Sequence, residues 1–140
     1  MQSKEKDNLV IVVLSREEDI IEMIKETCKK HKIKTAIVLS GIGQLKKVKL
    51  GYFKEKDNYT PQEFVSPLEL LSLSGNICKD KDKHILHLHG VFGDEEKRAF
   101  GGHLIEGKVS VTAEIAILKT DLDVKRKTNK VTGLKNLFLE

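Results

Sequence analysis

Tryptophan is absent from this chain of 140 residues, and cysteine and proline occur twice each. Two cysteines, Cys28 and Cys78, make no disulfide framework, and neither belongs to a C-x-x-C pair. That excludes a disulfide-stapled secreted scaffold and a cysteine-based zinc site, and it fits a reduced, cytoplasmic protein. No apolar run approaches the roughly 20 residues that cross a bilayer as a helix, so no membrane partner is expected. The N-terminal MQSKEKDN leads into a short apolar stretch without a small-residue cleavage site, and no signal peptide is read. Charge of one sign is lacking too: 25 basic residues stand against 21 acidic ones, a formal net charge of +4. A DNA-binding domain often carries a stronger excess, gathered on one face. Only the segment Lys125-Arg126-Lys127 with Lys130 is locally basic, and its plain reading is a solvated, charged turn.

What is present describes a folded protein. Apolar residues make up 39% and charged residues 33%, a globular composition. The length fits one domain over residues 1–140, with one sizeable core. The continuous apolar run 9–14, LVIVVL, has strand length and composition. Ser15 and Glu18 then form a capping-box pattern. Ile20, Ile21, Ile24 and Cys28 follow at helical spacing, with acids early and Lys29, Lys30 and His31 late, as the helix dipole favours. A helix is therefore expected over 16–31.

Strands are expected over 35–40 and 45–53, separated by Gly41 and Gly43. The Gly-Ile-Gly element lacks the strand-to-helix context and the Gly-Lys-Ser/Thr ending of a phosphate loop, so a tight turn or bulge is its reading. Residues 54–66 are polar, contain Pro61 and read as a surface loop. Further strands are expected over 68–77, 84–92 and 108–118, and a short one near the C-terminus after a turn at Gly133. Many strands and one secure helix near the N-terminus give an α+β fold with a mixed, largely antiparallel sheet.

Chemistry concentrates in HILHLHGVFGDEEKRAFGGHL, residues 84–104, which hold four of the five histidines. Residues i and i+2 of a strand share a face, so His87 and His89 point together while Leu86, Leu88 and Phe92 point toward a core. His84 has the opposite parity and stays outside the pair. His103 follows a polar segment, and its flanking Gly101 and Gly102 are expected to turn the backbone sharply and bring the ring back to the pair. Three neutral imidazoles with an open fourth position describe a water-bound zinc site, and imidazole also suits copper, nickel and iron. The bland alternative is a polar strand face plus a loop histidine. A cupin would place a glutamate a few residues after its H-x-H and a histidine far downstream; Glu95, Glu96 and His103 do not fit that spacing.

The segments VLSGIGQLKKVKLGYF, LELLSLSGNI, HLHGVFGDEEKRAFGGHLIEG and TGLKNLFL stand in this order in the chain. Together they resemble the PPC domain, also called the domain of unknown function 296, over residues 9–138. That module stands alone in prokaryotes and follows AT-hooks in land plants. The resemblance implies an α+β fold on a largely antiparallel sheet, a homotrimer, and a divalent metal, often zinc, at the positions of His87, His89 and His103. It also brings a DNA-binding label. The AT-hook needs an Arg-Gly-Arg-Pro-like core that reads the narrow minor groove. The chain has only Arg16, Arg98 and Arg126, none in such a context. DNA binding is therefore expected to be weak, non-specific and salt-dependent. Two function classes remain: a trimeric metal-containing binding or regulatory module, which is favoured, and an enzyme whose three-histidine metal activates water or a small substrate. The second needs a base, and Glu106 and Glu114 are the nearest carboxylates in sequence.

Overall fold

Antiparallel strand pairing organises most of this chain. The computed structural model describes residues 1–139 and contains nine strands and one helix among them. They run β1 (Gln2–Lys6), β2 (Leu9–Ser15), α1 (Ile20–Lys30), β3 (Thr35–Glu55), β4 (Asn58–Phe64), β5 (Leu68–Asp80), β6 (Lys83–Gly93), β7 (Ala99–Thr120), β8 (Val124–Thr128) and β9 (Lys135–Leu139). The first seven strands form one sheet in the order β1-β2-β7-β6-β5-β3-β4, and every pairing is antiparallel. An additional β3–β7 pairing closes β3, β5, β6 and β7 into a ring. Strands β8 and β9 make a separate two-stranded ribbon.

The expected α+β class is overturned. Strand accounts for 70% of the chain and helix for 8%, so this is a mostly β structure on a large antiparallel sheet. The physical reason lies in polar strands that period-two patterning cannot reveal. Residues 54–66 contain β4, whose residues are exposed along nearly its whole length; it pairs with β3 from Val48↔Phe64 to Glu55↔Asn58. Strand β1 is equally polar and pairs along β2. The expected break between residues 40 and 45 is absent as well. β3 runs through it as one strand of 21 residues, taking up the Gly-Ile-Gly segment as register shifts against β7. Gly43 has φ 151°, and a Cβ there would stand 2.1 Å from the Thr112 carbonyl oxygen, so a bulge with glycine is what the close pairing requires.

The helix is shorter than expected and capped elsewhere. Asp19 is the N-cap, accepting hydrogen bonds from the amides of Ile21 and Glu22. Ser15 and Glu18 instead make a preceding turn, in which Glu18 accepts from the Ser15 amide at 2.8 Å. Ile20, Ile24, Thr27 and Cys28 form the buried face of α1. It packs with Val10, Val12 and Leu14 of β2 into one core that also holds Leu45, Leu73, Leu88, Phe92, Ile115 and Ile117. Cys28 and Cys78 are both buried and free, and burial pushes the Cys28 thiol up to about 12.

Candidate metal centre

The site is built where β6, β7 and the β8–β9 ribbon meet. On β6 the side chains of Leu88 and Phe92 are fully buried, so His87 and His89, of the other parity, face away from the core. His103 lies on β7, directly opposite His89 in the β6–β7 register. The pairing rather than a turn brings the third ring in. This corrects the role expected of Gly101 and Gly102: both lie within β7 as ordinary ladder partners of Val91 and Gly90. Their lack of a side chain matters for proximity instead. A Cβ on Gly101 would stand 2.4 Å from the Gly90 carbonyl oxygen, which no neighbouring backbone can concede.

One ligand atom from each of His87, His89 and His103 lies within 4.8 Å of the others. Ring centroids are 5.1 to 5.5 Å apart. The Nε2 atoms of His87 and His89 stand 3.2 Å apart. Two nitrogens at zinc-ligand distance from a tetrahedral ion are separated by about 3.3 Å, so the pair already has the spacing the ion needs. Burial holds the His87 ring below the ordinary imidazole value, with Arg126 and His89 adding to the shift. Burial does the same to His103, helped by His87, His89 and Arg126. Both rings are thus kept neutral at pH 7, the state in which imidazole ligates. The three residues fit a divalent ion.

The rings open into a cleft of about 1220 Å³ between the sheet and the ribbon. Its walls are mostly apolar, including Ile85, Ile105, Leu134 and Leu137. Tyr59 reaches in from β4, its ring edge-on to His103 at 6.4 Å. Gly51 makes this approach feasible, because a Cβ there would collide with the Tyr59 hydroxyl at 1.6 Å. Arg126 of β8 also lines the cleft. Its guanidinium donates to Asn76 Oδ1 and, from Nη1, to the Lys135 carbonyl oxygen at 2.9 Å. Asn76 is the register partner of His87, so Arg126 is moored beside the histidines.

The other sequence candidates lie outside. His31 sits at the end of α1, and His84 bonds the Ile33 carbonyl oxygen at 2.8 Å. Glu106 is exposed and 3.5 Å from Lys49, Glu114 stands opposite Val13 and Ile42 farther along β7, and neither lines the cleft. Sequence reasoning missed Tyr59 and Arg126. Tyr59 lay in a segment read as loop, and Arg126 in one read as a solvated turn. The only hint for Arg126 was its rarity, one of three arginines beside 22 lysines.

Comparison with known proteins agrees with this architecture. A plant- and prokaryote-conserved (PPC) protein from Pyrococcus horikoshii is 33% identical, with a TM-score of 0.81 and coverage of 99% of this chain and 96% of that one. A metal-containing protein from Archaeoglobus fulgidus is 27% identical, with a TM-score of 0.84 over 96% of this chain and 95% of that one. A candidate DNA-binding protein from Bacteroides thetaiotaomicron is 25% identical, with a TM-score of 0.93 over 99% of this chain and 96% of that one. Among curated proteins, the bifunctional protein GlmU of Synechococcus sp. (strain JA-3-3Ab) is 28% identical over 125 residues. That match takes in 88% of this chain and 19% of GlmU, so the chain spans about a fifth of that relative's length. The profile of the Plants and Prokaryotes Conserved (PCC) domain matches residues 1–121, and the chain belongs to that family.

Proposed function

We propose that this PCC-domain protein is a homotrimeric, metal-holding binding module of the cytoplasm. In it, His87, His89 and His103 hold one divalent ion, zinc by preference, at the floor of the cleft. The convergence of three ligand nitrogens within 4.8 Å on a cleft wall carries the reading. A bound zinc would supply Lewis acidity and an open coordination position for a ligand. The Archaeoglobus relative, described as metal-containing, supports the ion. The enzymatic alternative requires a base within reach of metal-bound water, and the cleft-lining residues among those described include no carboxylate. The test is elemental analysis of untagged protein after metal loading and dialysis. One metal per chain is expected, falling to near none in His87→Ala; full occupancy in a triple His→Ala variant overturns the reading.

Self-association has its own support. The outer face of β2, β7 and β3 presents Leu9, Leu118 and Ile37 as one cross-strand row, with Ile11 44% and Ile42 54% exposed nearby. An apolar face of this extent is costly in water, and further copies of the chain would cover it. Sedimentation equilibrium is expected to give three times the chain mass, and Ile42→Asp to lower it.

DNA is a weak, non-specific partner in this reading. The basic segment is not a flat patch: Arg126 turns inward to Asn76, and Lys127 lies over the Phe138 ring. Contacts to phosphate alone carry no base information, so any binding should vanish with salt and favour no sequence.

A further inference from the structure

We propose that the cleft takes a small organic carboxylate, its head held between the metal on His87, His89 and His103 and the guanidinium of Arg126, its apolar body on the cleft wall. The proposal rests on the metal reading above and deepens it.

Charge carries the argument. Three imidazole ligands are neutral, so they leave a divalent ion its full charge. Arg126 adds another positive charge in the same cleft, bonded to Asn76, the register partner of His87. Lys135 also lines the cleft, but its Nζ is turned toward Asp80, 3.7 Å away, which is not a lining residue. No aspartate or glutamate lines the cleft among the described residues. A cationic site walled by apolar groups, with no counter-ion among the described lining residues, is costly until an anion completes it.

Hydrogen bonding points the same way. Arg126 spends donors on Asn76 and on the Lys135 carbonyl oxygen, and both are neutral acceptors that fix the side chain without neutralising it. Its Nε is buried and has no hydrogen-bond partner among the described residues. A guanidinium has five N–H donors in a planar fork that matches a carboxylate. Nη1 and Nη2 each spend one N–H in these bonds and keep a second for a bound head group.

The wall selects among anions. Ile85, Ile105, Leu134 and Leu137 offer no donors from their side chains for further phosphate oxygens, but they do offer apolar area for an aliphatic or aromatic body. The ring of Tyr59, on the same wall, can stack on that body.

Straight-chain carboxylates from acetate to hexanoate and inorganic phosphate should be titrated into apo and cobalt-loaded full-length protein, with calorimetry and the cobalt absorption spectrum as readouts. Loaded protein is expected to bind hexanoate with a change in the cobalt spectrum. Each added methylene should tighten binding up to about fourfold, the factor that burying one CH₂ allows. Arg126→Gln should weaken it about tenfold or more while leaving metal content unchanged, as expected for losing a hydrogen bond to a charged group. If that variant fails to fold, the chain-length series on the wild type still decides. Metal loading with no carboxylate binding, or tighter binding of phosphate than of every carboxylate, overturns this inference and leaves the metal centre standing. Failure to load metal overturns both.

Discussion

The histidines of the helix end and those of the cleft are treated in opposite ways. At the end of α1, His31 Nδ1 bonds the Glu5 carboxylate at 2.9 Å and Nε2 the Ser3 hydroxyl at 2.9 Å, tying β1 to the helix. His84 likewise spends Nε2 on a main-chain carbonyl. For the imidazoles of the cleft, the only hydrogen-bond contact among the described residues is the one His87 and His89 make with each other. A histidine whose nitrogens are claimed by the protein fastens the fold. One whose nitrogens face other unclaimed imidazoles remains available to an ion. Residue type alone does not separate these cases; the partners do.

The sharpest way to break this contrast is to remove one ring from each region. His103→Ala should abolish metal retention almost completely, since the pair left on β6 is a poor cage; elemental analysis checks it. His31→Ala should leave metal content unchanged.

Acid gives the next largest effect. Protons compete with the ion for imidazole, so metal should be released as pH falls; below the imidazole pKa values, affinity drops up to about a thousandfold per pH unit for three ligands. The metal-free protein has its own pH dependence. His87 and His103 are held below 6.5 in the folded state, so as pH falls through 6.5 the unfolded chain takes up protons first and stability declines. Above 6.5 this contribution is fully present. Chemical denaturation of metal-free protein at pH 7.5 and 5.5 measures the loss, and replacing both histidines by Ala should flatten that part of the profile.

The smallest effect is at the helix end. His31→Ala removes two partly exposed hydrogen bonds and should cost about 1 kcal/mol in denaturant unfolding. If it cost nothing, the tie between β1 and α1 would contribute no stability. If it also lost metal, the contrast between the two regions would fail.

Which parts of this were legible in the sequence follows from the range of each interaction. The helix core, Ile20 through Cys28, could be read because its periodicity is local, although Asp19 rather than Ser15 caps it. The outer polar strands could not be read. β1 and β4 are held by backbone pairing to neighbours, and a backbone hydrogen bond leaves little trace in side-chain type. That is why the class came out as α+β from patterning and as mostly β in the structure.

At the site the division is equally physical. The sequence by itself determined that His87 and His89 share a face, because alternation along a strand is a property of the chain. It also supplied His103 at a distance short enough for an adjacent strand. Only the tertiary structure decided that His103 stands opposite His89, since register is set by every rung of the β6–β7 ladder together. Only it decided that Arg126, on a ribbon outside the main sheet, would be moored to Asn76 beside His87. Contacts between residues so far apart in the chain arise from packing, and no local pattern encodes them.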